Sequence, residues 1–199
     1  EVTNFNSKIE LLGGKDNLKV GYVGHLYKGK GMEVIASMAN KLDDDVEIHI
    51  IGGLEKDIKH WKNKITSRNI YFYGFIPHKK VSNYINALDV CLLPNQKIVF
   101  AHGSDSSKDN INISTFTSPL KLFEYMSHKK PIIASDLPVI REVLNERNSI
   151  LVKYDDIKLW ISSIQKLKNL KKRESIANQA LSDFYTYSWK NRALLVINN

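Results

Sequence analysis

A single cysteine in 199 residues, Cys91, leaves no partner for a disulfide within the chain and no thiolate cluster for a metal. It lies in the apolar run DVCLLP, where a small buried hydrophobe is the expected role, and a chain so poor in cysteine fits a reducing compartment, the cytosol. No apolar stretch approaches the roughly 20 residues that cross a bilayer, and no basic-then-apolar leader opens the sequence. The six histidines show no metal-ligand spacing, and no G-x-S-x-G elbow surrounds Ser104, Ser106 or Ser107. Acidic residues are the scarcer charge, 21 against 29 Lys and Arg, for a net charge of +8. That balance suits an anionic ligand, a lipid surface or nucleic acid. The lysines are scattered, without the interleaved aromatics of single-strand binders, so nucleic acid is not an expected partner.

What is present is a regular alternation. LKVGYVG (18–24), VEIHIIGG (46–53), NIYFYG (69–74), VCLLP (90–94), PIIAS (131–135) and SILV (149–152) read as strands. Between them GMEVIASMANKL, EKDIKHWKNKI, HKKVSNYINAL, a helix opening at Ser118 and VIREVL read as helices, and the remainder is helical. This order predicts an α/β domain built on a doubly wound parallel sheet. The expected divisions are a linker over 1–17, one domain over 18–187 and a final helix over 188–199, where Trp189, Ala193, Leu194 and Ile197 share a face. The chain starts at Glu1, with Gly13 and Gly14 in a polar lead, and reads as a piece of a longer protein. Ligands of doubly wound sheets bind beyond the carboxyl ends of the strands. The segments after Gly24, after Gly52 and Gly53, from Gly74 to Pro77, and the long loop before Ser118 are all expected there.

TSPLKLFEYMSHKKPIIASD, Thr117 to Asp136, is the densest of these. Ser118 is a good N-cap and Pro119 suits the first helical position. Leu120, Phe123 and Met126 would form the packed face, leaving the first-turn amides to favour an anion. Glu124 stands roughly 9 Å further along the axis, at about 1.5 Å per residue, a reach that suits ribose hydroxyls when a diphosphate sits at the helix end. Lys121 with Glu124 also reads as an ordinary solvated pair. GHLYKGKG (24–31) matches the phosphate-cradling G-x-x-x-x-G-K as far as Lys30, but Gly31 stands where a magnesium-holding Ser or Thr is required. A lysine and amides directed at a diphosphate without metal remain attractive, beside the plain reading of a glycine-eased turn. Asp136 after PIIAS could pass for the acidic strand end of such a site. Asp43-Asp44-Asp45 reads as a polar turn, and His25 and His102 as surface histidines on the candidate edge.

With these residues placed, the chain resembles the C-terminal, donor-binding domain of retaining glycosyltransferases of the GT-B type, most closely glycosyltransferase family 4. The resemblance runs from about Lys19 to the C-terminus through GYVGHLYKGKGM, IYFYGFIPHKKVSNYINALDVCLLP, SPLKLFEYMSHKKPIIASDLPVIREVL and YSWKNRA. It implies a Rossmann-like fold, the second half of an enzyme that moves a sugar from a nucleoside-diphosphate sugar to a glycan or lipid-linked acceptor, as in bacterial surface polysaccharide synthesis. It implies Lys30 on the diphosphate, the amides at the start of the helix opened by Ser118 and Pro119 at the distal phosphate, Phe116, Thr117, Leu120 and Lys121 among the donor contacts, and Glu124 on the ribose. Gly24 and His25 would line the phosphates, and the backbone of Phe75 and Ile76 would hold the base. Lys30 and Glu124 are the expected catalytic contributors, with no cofactor and no obligatory metal. The family often has an arginine at the position of His25 and a glutamate at that of Phe116, which weakens the expected phosphate and sugar contacts. By the same resemblance the protein works in the cytoplasm, compatibly with peripheral contact at the inner face of the plasma membrane, and the fragment alone is inactive. The alternatives are a sugar-nucleotide epimerase of the same fold, a degenerate P-loop nucleotidase, and a non-catalytic basic domain on nucleic acid or membrane.

Overall fold

The computed structural model describes residues 9–98 and 120–187, together with the single position Ile197. Six strands alternate with helices: β1 (Leu18–Val23), α1 (Met32–Ala39), β2 (Val46–Ile51), α2 (Glu55–Lys62), β3 (Ile70–Gly74), α3 (His78–Ala87) and β4 (Val90–Leu93). Then follow α4 (Leu120–Ser127), β5 (Ile132–Ser135), α5 (Pro138–Arg141), β6 (Ile150–Val152), α6 (Ile157–Lys166) and α7 (Leu170–Phe184). The strands form one sheet in the order β3-β2-β1-β4-β5-β6, and every pairing is parallel. This is the doubly wound sheet that the alternation predicts, with its direction of winding reversing between β1 and β4.

Parallel strands covered on both faces are near-continuous in apolar residues, and β4 and β5 are buried throughout. One face is closed by α1, α2 and α6, through Ile35, Met38, Trp61, Trp160 and Ile164 packed on Val20, Ile48 and Leu92. The other is closed by α3, α4 and the 137–144 segment, through Ile85, Leu122, Tyr125 and Ile140 on Cys91, Leu93 and Ala134. Cys91 is wholly buried, as its apolar setting requires, and burial pushes its thiol up to about 12.

Two local expectations change. In α4 the packed face is Leu122, Tyr125 and Met126, while Leu120 is 77% exposed at the sheet's carboxyl edge. The helix is thus rotated from the expected Leu120–Phe123–Met126 stripe, because Tyr125 turns inward to hydrogen-bond β1. The helix expected over VIREVL is shorter: it ends at Arg141 and continues only as turns to Leu144, where the Asn148 side chain donates to the Val143 carbonyl at 3.2 Å and accepts from the Asn145 amide at 2.8 Å. The final helix expected over 188–199 lies outside the described residues apart from Ile197.

Residues 9–17 lie over β2, where the Gly14 amide and the Asn17 side chain donate to Glu47. Leu11 is buried there, above two charged-type residues inside the sheet, Glu47 and His49, which are 2% and 0% exposed. No helix among the described residues is long and apolar enough to cross a membrane.

Candidate functional site

The reversal between β1 and β4 opens a crevice at their carboxyl ends, and the glycine-rich segment 24–31 bridges it. Gly24 follows β1 with φ of 145°, a conformation that side-chain-bearing residues rarely adopt. Its amide donates to the Ile51 carbonyl at 2.8 Å. The loop is anchored by buried Leu26, whose carbonyl accepts from Trp61 Nε1 at 3.1 Å, and by the Tyr22 hydroxyl, which donates to the His25 carbonyl at 2.7 Å. On the β4 side the Gln96 amide donates to the Gly29 carbonyl at 3.0 Å.

Gly31 closes against β4 so tightly that a Cβ there would stand 2.0 Å from the Pro94 carbonyl oxygen, and its φ is 90°. Neither the space nor the backbone admits the Ser or Thr of a magnesium-binding P-loop. Asp136, the other half of that reading, is engaged by Arg141, which holds its carboxyl below the usual range. Asp43 and Asp45 both pair with Lys168, at 2.9 and 2.7 Å, beyond the amino end of β2, which accords with a polar turn. Among the described residues no group of His, Cys, Asp and Glu side chains could hold a metal ion.

Helix α4 delivers the remaining charges. The Tyr125 hydroxyl accepts the Val23 amide at 3.0 Å, which docks the helix on the end of β1. One turn earlier, Lys121 is thereby swung over Gly24: a Cβ added at Gly24 would lie 1.6 Å from the lysine Nζ. A side chain at position 24 would displace that ammonium. Lys121 Nζ stands 5.1 Å from the centroid of the Tyr22 ring, and Lys30 Nζ 5.3 Å from that of Tyr27, so each cation rests on an aromatic face. Among the described residues neither lysine has a carboxylate within ion-pair distance. Burial, and then the charge of Lys30, bring Lys121 down to about 8 against the opposing pull of Glu124. Glu124 is not paired with Lys121 as a solvated i, i+3 pair would be; its Oε1 lies 3.3 Å from Nε2 of His78, at the start of α3. That partner is 90% exposed, while the carboxylate is 34% exposed.

Gly24, His25, Lys30, Leu120, Lys121 and Glu124 therefore converge around the crevice. Phe75 and Ile76 follow β3, two strands away along the same edge; Phe75 is 76% exposed and Ile76 packs on the second core cluster. Phe116, Thr117, Ser118 and Pro119 lie outside the described residues, as does His102. Sequence reasoning passed over Tyr22, Tyr27, Tyr125 and His78. The signal for two of them was a hydroxyl in an otherwise apolar position: Tyr22 within a buried strand and Tyr125 on the inner face of a helix, each needing a hydrogen-bond partner that a loop could supply.

A parallel sheet reversing at β1/β4, with a glycine-rich turn and cations at the reversal, is the architecture of nucleotide-binding α/β domains. The family model described as glycosyl transferases group 1 matches residues 17–169, and the chain belongs to that family. No sequence match was found among the curated proteins compared. Among solved structures, the C-terminal domain of a group 1 glycosyl transferase, LpcC from Francisella tularensis, superposes with a TM-score of 0.64 at 21% identity, covering 85% of each chain. Anabaena HepE, solved in complex with UDP-glucose, gives 0.69 at 18% identity, covering 91% of this chain and 49% of its own. TarM gives 0.69 at 16% identity, covering 96% of this chain and 36% of its own. The chain thus has the Rossmann-like fold of a GT-B C-terminal half, and spans less than half the length of TarM and HepE.

Proposed function

We propose that this chain is the donor-binding half of a retaining, hexose-transferring glycosyltransferase of the family 4 type. The observation that carries this reading is the pair of lysines, Lys30 and Lys121, resting on tyrosine rings at the β1/β4 crevice with no carboxylate of the described residues to neutralise them. A nucleoside diphosphate supplies the absent countercharge. Its β-phosphate would lie near Lys30, Lys121 and Gly24, its ribose would be held by Glu124 in place of His78, and its base would lie toward Phe75 and Ile76. When the bond from the anomeric carbon to the diphosphate oxygen breaks, negative charge develops on the leaving diphosphate, and cations fixed beforehand stabilise it without reorganising. This chemistry requires no cofactor from this half, and metal is not obligatory for it.

The acceptor, a glycan or a lipid-linked sugar of a surface polysaccharide, would be presented by a second Rossmann-like half. The transfer would take place in the cytoplasm, with peripheral contact at the inner face of the plasma membrane. HepE, of the same fold, has been solved with UDP-glucose, which makes a uridine diphosphate sugar the first donor to try. Two or three charge-assisted hydrogen bonds of about 1.5–3 kcal/mol each correspond, after ordering costs, to an affinity in the sub-millimolar to millimolar range, about 4–6 kcal/mol.

Calorimetric titration with UDP, GDP and ADP, each with and without magnesium, tests the proposal. One of the three should bind without metal and lose about tenfold or more in affinity in Glu124→Ala, in line with about 1.5 kcal/mol for a charged hydrogen bond. Binding by none of them, or binding that needs magnesium and ignores Glu124, overturns it.

A further inference from the structure

We propose that the outer margin of the sheet, made by α2, β3 and the start of α3, is a docking surface for an anionic lipid bilayer. The inference rests on the donor reading above for its purpose, and gives the membrane contact of that reading a place on the molecule.

The charge of the chain is gathered unevenly by the fold. Residues 54–80 hold seven Lys and Arg against two acidic residues, which is five of the eight net positive charges. These lysines are spaced apart in the sequence, but β3 is the end strand of the sheet and has α2 on one face and α3 on the other, so that they share one margin. Lys56, Lys59, Lys62 and Lys64 are exposed on α2 and just beyond it, and Lys79 and Lys80 in the first turn of α3. None of the six is ion-paired with a described residue, whereas Arg141, Lys153 and Lys168 elsewhere on the surface each hold an aspartate. Like charges on one margin repel one another in the free protein, and a surface of opposite charge relieves that repulsion.

Two large apolar side chains stand at the corner of this margin. The ends of β2 and β3 are joined there, the Gly52 amide donating to the Gly74 carbonyl at 2.8 Å. Leu54 and Phe75, which follow these glycines, are 45% and 76% exposed. Lysines around exposed apolar side chains suit the headgroup layer of a bilayer: the ammonium groups meet lipid phosphates while leucine and phenylalanine reach below them. Single-stranded nucleic acid, the other polyanion, requires a row of open rings. Here Tyr71 and Tyr73 stack on the buried His49, and Phe72 carries Lys62 Nζ 5.9 Å from its centroid, which leaves Phe75 as the open ring of the margin. The corner shares its carboxyl edge with the β1/β4 crevice, and His78 at the start of α3 reaches Glu124 at 3.3 Å. A bilayer held by this margin would bring the crevice to the level of the headgroups, where a lipid-linked acceptor presents its sugar.

The experiment is co-sedimentation of this chain with vesicles of phosphatidylcholine alone and of phosphatidylcholine with one third phosphatidylglycerol, at low and high salt, beside a titration with a mixed-sequence single-stranded oligonucleotide. Wild type should bind the anionic vesicles, leave the neutral ones in suspension, and lose most of its binding at high salt. Each lysine at an anionic surface corresponds to about a fivefold change in partition. Lys59→Glu/Lys62→Glu should therefore weaken binding at least about twentyfold. Lys158→Glu/Lys166→Glu makes the same charge change at exposed positions of α6, which packs on β5 and β6 at the opposite end of the sheet, and should weaken it by no more than about threefold. Leu54→Ser should weaken it about fivefold, the equivalent of partly burying one leucine. The lipid and salt dependence of wild type needs no variant to fold. Equal losses in the two double variants, equal binding to neutral and anionic vesicles, or tighter binding to the oligonucleotide than to the vesicles overturns the surface, and the last of these assigns it to nucleic acid. Titration of the same preparation with UDP, GDP and ADP keeps the two readings apart. Vesicle binding with no nucleotide binding overturns the donor site and leaves the surface standing; nucleotide binding with no vesicle binding does the reverse.

Discussion

Two groups of ionisable side chains gather against this sheet, one buried over β2 and one half-buried at the β1/β4 crevice, and they are completed in opposite ways. Under the 9–17 segment, the carboxylate, the imidazole and the ammonium each find a partner within the chain. Glu47 Oε1 accepts the Gly14 amide at 2.6 Å and the Asn17 side chain at 2.9 Å. The Tyr73 hydroxyl accepts the Leu12 amide at 3.0 Å and so gives its own proton to His49 Nδ1, 2.9 Å away. The imidazole, stacked on Tyr71, thereby carries its hydrogen on Nε2, which faces Glu47 Oε2 at 3.5 Å. Lys19 Nζ donates to the carbonyls of Gly14, Lys15 and Asn17 from the other side. At the β1/β4 crevice, among the described residues, the cations rest on aromatic faces and the carboxylate faces an exposed histidine. Where the described residues supply the countercharge, the polar contacts hold the fold together; where they supply none, the proposed donor would complete the set.

The comparison is broken most severely from the closed side. Glu47→Ala strips the partner from the Gly14 amide, the Asn17 side chain and the His49 ring at once, and buried polar groups left unpaired cost about 1–3 kcal/mol each when they cannot relax. A loss of about 2–4 kcal/mol in urea unfolding is expected, together with release of the 9–17 segment to protease, while nucleotide affinity below the melting point stays unchanged. A matching loss of affinity would mean that the two regions are one.

Acid tests the same network more gently. Burial holds His49 below its ordinary value, to about 4, with the Glu47 carboxylate opposing the shift. Between that value and about 6.5 the unfolded chain binds a proton that the native state refuses. Stability therefore rises with pH across this window and falls as pH drops, by about 2 kcal/mol between pH 6.5 and 4.5. In His49→Phe the stability–pH slope should lose about one proton there, even if the variant is weaker throughout. An unaltered slope would show that another group titrates.

The difference between the two regions also explains what could be read from the sequence. The strands and their order were legible because each is a short apolar run between turn residues, and the crevice followed from the strand order alone. Lys30, Lys121 and Glu124 could be placed there because the glycine-rich loop follows β1 directly and the helix follows the long segment after β4. The orientation of α4 could not, since Leu120, Phe123 and Met126 form as good an apolar stripe as Leu122, Tyr125 and Met126, and only the hydrogen bond from Val23 to Tyr125 decides between them. The clasp over β2 was hidden for a related reason. Glu47 and His49 alternate with Val46, Ile48 and Ile50 as the outward residues of a half-exposed strand would, and burial comes from nine residues that read as a polar lead.

The smallest expected effect is also the one that separates the two regions by sign. A lysine kept in the crevice with an empty site is a cost to the fold, since its charged form is disfavoured there relative to the unfolded chain. Replacing it by an apolar side chain of similar length should stabilise the protein, whereas truncating Glu47 destabilises it. Partial contact with water and the aromatic face beneath the ammonium offset much of the penalty, so about 1 kcal/mol is expected for Lys121→Met at pH 7. The native state gives up the Lys121 proton from about pH 8, and the unfolded chain only near 10.4. The advantage of Lys121→Met should therefore be full below pH 8, shrink as pH rises, and vanish above about 10.5. Urea unfolding at pH 7 and pH 10 measures it. A variant less stable than wild type at pH 7 would place Lys121 with Glu47, among the charges that hold the fold rather than those held ready for a ligand.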